Sequence, residues 1–239
     1  MDPMTVGITL GLVPTIVLLA LLWWIDPTHL RSPRIWIALV TGMLITAPVW
    51  VLETVVDNWA TNITGAYAKL FVVEVLGAAV VEELVIAIAL LGLVFLSNKW
   101  ADTPRRIVAI AVAIAIGFTT IENMLGVWST DRPTKMGISR LMTIPCGHVS
   151  LQLVMGYFAA RALLETRHRG RWAALMILVP ILIHGWGDYS ENLFQYEANL
   201  DPDSDATKHL FSCWILALAA YVAGAAAVLW RLRWRKHPS

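Results

Sequence analysis

The sequence predicts an all-α fold: a polytopic transmembrane bundle of about seven helices. The chain of 239 residues is 58% hydrophobic and 15% charged, and its mean hydropathy is +0.65. Apolar runs of about 20 residues recur along its length, and a helix of that length crosses a bilayer. Composition of this kind excludes an ordinary soluble core.

Seven apolar runs give the candidate spans. They lie at residues 4–25, 34–52, 67–96, 106–127, 141–163, 172–194 and 210–231. The third is long enough to tilt, to break, or to begin as a helix at the membrane surface. Prolines fall inside several spans, and neighbouring helices can satisfy the carbonyls that they free. Since no linker or repeat interrupts the chain, we expect one integral-membrane domain over 1–239, with a motif-bearing core at about 67–194.

The distribution of Lys and Arg between the spans predicts the orientation of the chain in the membrane. Alternate connections carry thirteen basic residues: Arg31, Arg34, Lys99, Arg105, Arg106, Arg161, Arg167, Arg169, Arg171, Arg231, Arg233, Arg235 and Lys236. The opposite side carries five: Lys69, Arg132, Lys135, Arg140 and Lys208. The positive-inside rule therefore places the N-terminus outside and the C-terminus in the cytoplasm.

The basic clusters all flank apolar spans, and no run of Lys and Arg interleaved with aromatics indicates a nucleic-acid surface. Membrane lipids are thus the expected surroundings, and no nucleic-acid partner is expected. The two cysteines, Cys146 and Cys213, make no disulfide framework, and a bridge between them stays open.

Ionisable residues inside the apolar spans are the unusual feature of this sequence. They are Glu82, Glu83, Glu122, His148, His184 and Asp188. Counted from the predicted outer ends at 1.5 Å per residue, Glu122 lies about 8 Å deep and His148 about 10 Å deep. On the same count Asp188 lies about 9 Å and His184 about 15 Å deep. Four spans therefore offer polar groups to one layer in the outer half of the bilayer.

The free-energy cost of placing these ionisable groups in the bilayer favours a shared site. A carboxylate near the bilayer centre costs about 2.5–3.5 kcal/mol on insertion scales. No Lys or Arg is expected at this depth in the spans that carry the acids. The carboxylates must then meet histidines, protons, water or a metal. A polar cavity that holds water satisfies all of them together.

Helical spacing indicates which side chains face each other. His184 and Asp188 are four residues apart and share a face, as do His148 and Gln152. Glu82 and its neighbour Glu83 point about 100° apart, so we expect one to face the reacting centre while the other orients a neighbouring side chain.

These residues, taken in order, resemble the PrsW family of intramembrane proteases, within a wider group that includes the CAAX prenyl endopeptidases and the Aph-1 subunit of gamma-secretase. The matching positions are Glu82 and Glu83, the stretch from Phe118 to Glu122 and Asn123, His148 with Gly156, and His184 with Asp188. The family pattern has Lys three residues after the second Glu, where this chain has Ile86. This departure removes the expected basic partner of the carboxyl pair.

The resemblance implies a hydrolase that cuts a peptide bond in or near the membrane. The implied substrate is a single-span or membrane-anchored protein, such as an anti-sigma regulator whose cleavage would be regulated proteolysis. The implied location is the cytoplasmic membrane of a prokaryote. Phe118, Asn123 and Gln152 are expected to support the catalytic groups.

Two routes to an activated water stay open. In one, Glu82 and Glu122 act as general base while His184 and Asp188 support the oxyanion. In the other, His148, His184 and a carboxylate such as Glu122 bind Zn²⁺. A Cys146 nucleophile with His148 is disfavoured, because residues two apart point to nearly opposite helix faces.

Two other classes of protein would keep the same polar cavity. One is a non-catalytic membrane scaffold or assembly subunit. Ile86 favours this class, because it replaces the Lys of the family pattern. An ion or proton carrier is the other, because buried Glu and His chains also serve as relays. A retinal protein is excluded, since the span 210–231 contains no Lys for a Schiff base.

Overall fold

The computed structural model describes residues 2–25, 28–97, 100–142 and 147–234, and within them the chain is helical without a β-strand. The helices are α1 (Pro3–Ile25), α2 (Pro33–Ala60), α3 (Ala66–Phe71), α4 (Val81–Ser97), α5 (Pro104–Trp128), α6 (Pro133–Met142), α7 (His148–Leu164), α8 (Arg169–Leu200) and α9 (Asp205–Trp234). A π-helical segment (Val72–Val80) joins α3 to α4, and a short 3₁₀ turn (His29–Arg31) precedes α2.

Helix α5 forms the centre of the bundle. Every residue from Ile107 to Phe118 is buried, and α1, α2 and α7 pack around it. Gly42 on α2 and Gly117 on α5 mark the closest crossing, because a Cβ atom at either position would overlap the backbone of the other helix. Small residues allow such close contacts between membrane helices, where packing rather than the hydrophobic effect drives association.

Six of the described helices are long and apolar enough to cross a membrane. They correspond to the predicted spans at 4–25, 34–52, 67–96, 106–127, 172–194 and 210–231. Their outer faces expose large apolar side chains, with Leu44, Ile88 and Leu182 between 68% and 70% exposed. Such faces suit lipid rather than water. The protein is therefore a multi-pass, all-α integral membrane protein.

The predicted span 141–163 is wrong as a single helix. Helix α6 ends at Met142 and α7 begins at His148, with residues 143–146 outside the described ranges. Gly147, the described residue just before α7, has extended backbone (φ −95°, ψ −167°), which the hydropathy pattern does not register. With 17 residues, α7 lies at the lower limit for a spanning helix.

The long third span contains an irregular stretch. The nine residues of the π-helical segment lie between α3 and α4, and they end immediately before the Val81–Ser97 helix that carries both glutamates. A π-helical stretch changes the angular position of every side chain after it, and such stretches often occur at functional sites. Here it sets the directions of Glu82 and Glu83.

Candidate active site

A polar cavity of about 440 Å³ lies among α1, α4, α5, α6, α7, α8 and α9. Its charged and titratable lining comprises Glu82, Glu122, Arg140, His148, His184, Asp188, Glu191 and Tyr221. The predicted meeting of four helices at one polar site is thus present, since Glu82, Glu122, His148 and His184 come from α4, α5, α7 and α8. A cavity of this size can admit water and part of a peptide.

Glu83 is fully buried and is not part of the cavity wall. One carboxylate oxygen accepts a hydrogen bond of 2.7 Å from Gln152 Nε2, and the other lies 3.0 Å from His184 Nδ1. These contacts link α4 to α7 and α8. Glu83 therefore holds two site residues in place and does not face the reacting space.

Glu82 faces the cavity instead. Its Oε2 atom lies 3.4 Å from His148 Nε2, and among the described residues that oxygen has no hydrogen-bond partner. The carboxyl groups of Glu82 and of Glu53, on α2, lie close enough to interact. Glu82 is thus a carboxyl group of the cavity wall that lies beside His148 and near a second carboxyl group.

Glu122 lies between a cation and an imidazole. Arg140 Nη1 donates to Glu122 Oε1 at 2.7 Å, and Glu122 Oε2 lies 2.8 Å from His148 Nε2. The expectation that no Lys or Arg lies at this depth within the acid-bearing spans did not anticipate a cation that reaches Glu122 from outside them. Arg140 belongs to α6, a short helix that packs closely on α1 through Gly7 and Gly137 and turns the arginine inward.

Two imidazole rings form the middle of the site. The His148 and His184 ring centroids are 5.1 Å apart in an edge-to-face arrangement, and Phe118 packs against His148 with a centroid separation of 4.9 Å. His184 Nε2 lies 3.1 Å from Asp188 Oδ2, as their spacing of four predicts. Each ring nitrogen of His184 therefore faces a carboxylate, Glu83 on one side and Asp188 on the other.

The position of His148 differs from its predicted depth. It is the first residue of α7 rather than a residue seven positions into a helix. The predicted meeting with Gln152 still holds, because both side chains lie within reach of Glu83. His148 Nδ1 is 3.9 Å from Glu83 Oε1, which is too long for a hydrogen bond.

The remaining predicted residues have structural positions. Asn123 Nδ2 donates to the Gly11 carbonyl of α1 at 3.2 Å, so it ties α1 to α5 beside the cavity. Ile86, where the family pattern has Lys, is fully buried in the apolar core. Trp186 is 42% exposed and does not line the cavity, which fits lipid contact on the outer face of α8.

Three charged or titratable residues of the cavity lining escaped the sequence analysis, namely Arg140, Glu191 and Tyr221, and so did Glu53, near Glu82 on α2. Arg140 was counted as a surface charge, and Glu53 lies one position beyond the predicted end of its span. Tyr221 gave a usable signal, because it lies in the middle of the span 210–231, where a role in an interfacial belt does not account for it.

The cysteine prediction stays untested. Cys146 lies outside the described residues, while Cys213 is exposed on α9 as a free thiol.

The donor set fits a zinc ion. Ligand atoms of Glu82, His148 and His184 all lie within 4.8 Å of one another, and all three residues are buried. Two imidazoles and one carboxylate are a donor set of catalytic zinc sites. Glu82 Oε2 lies 3.4 Å from His148 Nε2, and carboxylates contact the rings of both histidines, as around zinc-ligating histidines generally. On His184, where both ring nitrogens contact carboxylates, one contact would give way to the ion. The predicted metal set differs in its carboxylate, since Glu122 is engaged by Arg140 and Glu82 is the grouped acid.

Comparison with known proteins gives one family. A family model described as PrsW family intramembrane metalloprotease matches residues 32–222. A protein named Protease PrsW from Clostridioides difficile (strain 630) is 29% identical over 176 residues, which are 70% of this chain and 73% of the relative. Another of that name, from Oceanobacillus iheyensis, is 23% identical over 175 residues, 73% of this chain and 78% of the relative. No solved structure matches the chain.

Proposed function

Because the chain belongs to the PrsW family of intramembrane proteases, we propose that the cavity is its active site and that Glu82 activates the attacking water there. The observation that carries the proposal is the Glu82 carboxyl group, which belongs to the cavity wall and has its Oε2 atom 3.4 Å from His148 Nε2. A general base must reach the water that it deprotonates, and a carboxylate that lines a polar cavity is placed to do so.

In the proposed reaction, water attacks the carbonyl carbon of the scissile peptide bond while Glu82 takes its proton. The C–N bond then breaks, and the same proton passes from Glu82 to the leaving amine. A carboxyl group that serves first as base and then as acid is an established pattern of acid–base catalysis. Glu53, whose carboxyl group lies close to that of Glu82, helps to hold it in position.

Glu122 and Arg140 hold His148 beside Glu82. The ion pair of Glu122 with Arg140 measures 2.7 Å, and both side chains are about 30% exposed to the cavity. Glu122 then anchors the His148 ring through Nε2 at 2.8 Å. His184, whose two ring nitrogens contact Glu83 and Asp188, is the group that we assign to the developing oxyanion, toward which its Nε2–H would turn from Asp188.

Zinc is the second route, an alternative to Glu82 as the free base and to His184 at the oxyanion: in it Glu82, His148 and His184 would hold the ion. Bound there, Zn²⁺ would polarise the scissile carbonyl and make water a stronger nucleophile near neutral pH. Glu83, Asp188 and Glu122 would orient the histidine rings.

Elemental analysis of protein purified without chelators measures the metal directly. We expect near-stoichiometric zinc in the wild type and in His209→Ala, an exposed histidine on α9, and its loss in His184→Ala. Absence of zinc from active wild-type protein would contradict the metal assignment.

The proposed substrate is a single-span or membrane-anchored protein in the cytoplasmic membrane of a prokaryote, such as an anti-sigma regulator. The support is the placement of the site within a bundle whose outer faces are apolar, beside Pro14 and Leu18 of α1 and Leu218 of α9. A segment already in the bilayer reaches such a site without crossing water.

Cleavage of a single-span reporter by reconstituted protein tests the activity. Glu122→Gln is expected to abolish cleavage, because it removes the charge that pairs with Arg140 and anchors His148. Glu165→Gln, which changes a carboxylate beyond the C-terminal end of α7, is the matched control and is expected to cleave normally. Retained cleavage in Glu122→Gln would refute the proposed site.

A further inference from the structure

Tyr221 occupies a position at the site that the proposed chemistry has not used. It is 5% exposed and lies on α9, where Trp214, Leu218 and Tyr221 form one face of the helix along the cavity. The spacing of four and then three residues places all three side chains on that face. Two of them are apolar or nearly so, and Tyr221 adds a hydroxyl group.

Gly187 creates the space for the phenol. A Cβ atom at Gly187 would lie 2.9 Å from the Tyr221 hydroxyl oxygen and 3.0 Å from Cε2. The phenol therefore lies directly on the backbone of α8. Gly187 is three residues from His184 and adjacent to Asp188, so the hydroxyl group lies on the side of α8 that carries the catalytic histidine.

Several of the hydrogen-bond donors nearby are engaged, although Thr119 Oγ1 and His148 Nδ1 have no partner among the described residues. Both His184 nitrogens face carboxylates, and Asn123 Nδ2 donates to the Gly11 carbonyl. Arg140 Nη1 donates to Glu122. A developing oxyanion is usually stabilised by more than one donor, and a tyrosine hydroxyl is a suitable neutral donor in a site with several carboxylates.

We infer that Tyr221 is a catalytic residue that donates a hydrogen bond to the oxyanion of the cleaved peptide bond, and that Gly187 exists to seat it. The inference rests on the proposed function, since it adds a second donor to the same site. It goes beyond the family motifs, because Tyr221 lies outside all of them. It also gives a role to the second glycine of the His184–Asp188 segment.

Steady-state cleavage of a single-span peptide in proteoliposomes tests the inference. Tyr221→Phe keeps the ring and loses only the hydroxyl, so kcat is expected to fall about 100-fold with KM unchanged within about twofold. Tyr157→Phe is the matched control. Tyr157 is also buried, but its hydroxyl accepts from Arg161 and Arg231 at 3.4 and 3.3 Å, nine residues along α7 from His148. Equal kcat in the two variants would overturn the inference.

Gly187→Ala provides an independent variant that retains the hydroxyl. Its methyl group would displace the phenol, so it should reproduce the fall in kcat. Gly92→Ala, where the added methyl meets no atom within 4 Å, is the matched control. Wild-type kcat in Gly187→Ala would also overturn the inference. Glu122→Gln, assayed in parallel, separates the two proposals: activity in that variant refutes the proposed function, whereas full activity in Tyr221→Phe refutes only the role of Tyr221.

Discussion

The two adjacent glutamates should respond in opposite ways to the same substitution. Glu83 is fully buried, with Gln152 Nε2 at 2.7 Å and His184 Nδ1 at 3.0 Å. Glu83→Gln replaces one acceptor oxygen with an N–H donor, which leaves at least one charge-assisted hydrogen bond unmade. Each such bond contributes about 1.5–3 kcal/mol, so we expect Glu83→Gln to lower the free energy of unfolding by about 2–3 kcal/mol.

Glu82→Gln should cost little or nothing in stability. Its Oε2 atom is buried without a hydrogen-bond partner among the described residues, and a buried charge without full compensation is itself destabilising. An amide in its place can donate to Glu53. We therefore expect the free energy of unfolding to stay within about 1 kcal/mol of the wild type, or to rise.

Thermal unfolding in one detergent, with the same protein concentration for all variants, measures the contrast. For a chain of this size, 2–3 kcal/mol corresponds to a fall in Tm of roughly 4–12 °C for Glu83→Gln. Glu82→Gln should unfold within a few degrees of the wild type. Equal destabilisation by the two substitutions, or a stable Glu83→Gln variant, would refute the division of roles between these neighbours.

Three further predictions concern the ion pair, the helix crossing and the orientation. In a double-mutant cycle of Arg140→Gln with Glu122→Gln, the unfolding free energies should give a coupling energy of about 1–2 kcal/mol, because partial exposure of both groups weakens the ion pair. A coupling energy near zero would contradict the ion pair. Gly42→Leu should lower unfolding free energy by at least about 3 kcal/mol, because its side chain meets the α5 backbone, whereas Gly92→Leu should be nearly neutral; equal effects would contradict the close crossing. A reporter fused to the C-terminus should be active only in the cytoplasm, and periplasmic activity would reverse the predicted orientation.

The sequence was sufficient to predict that these carboxylates and histidines lie in one polar layer. Intramembrane acids are so costly that they must lie together, and helical spacing then selects their faces. This reasoning anticipated the contacts of His184 with Asp188 and the differing directions of Glu82 and Glu83. It needed no knowledge of how the helices pack.

The partners that the sequence analysis missed depend on tertiary structure. Arg140 reaches Glu122 because α6 packs on α1. No local sequence pattern predicts this packing. Glu53 was left beyond a predicted span end, although α2 runs on to Ala60. Hydropathy marks where a helix is apolar and not where its backbone stops, so side chains in polar helix ends are easily assigned to the surface.

The most direct test of the active site is cleavage of a single-span reporter by reconstituted Glu82→Gln. This variant is expected to be as stable as the wild type, so a loss of activity cannot be attributed to unfolding. We predict a fall in the cleavage rate of about 1,000-fold, the scale for loss of a general base. A folded Glu82→Gln variant that cleaves within twofold of the wild-type rate would show that the reaction does not depend on this carboxylate.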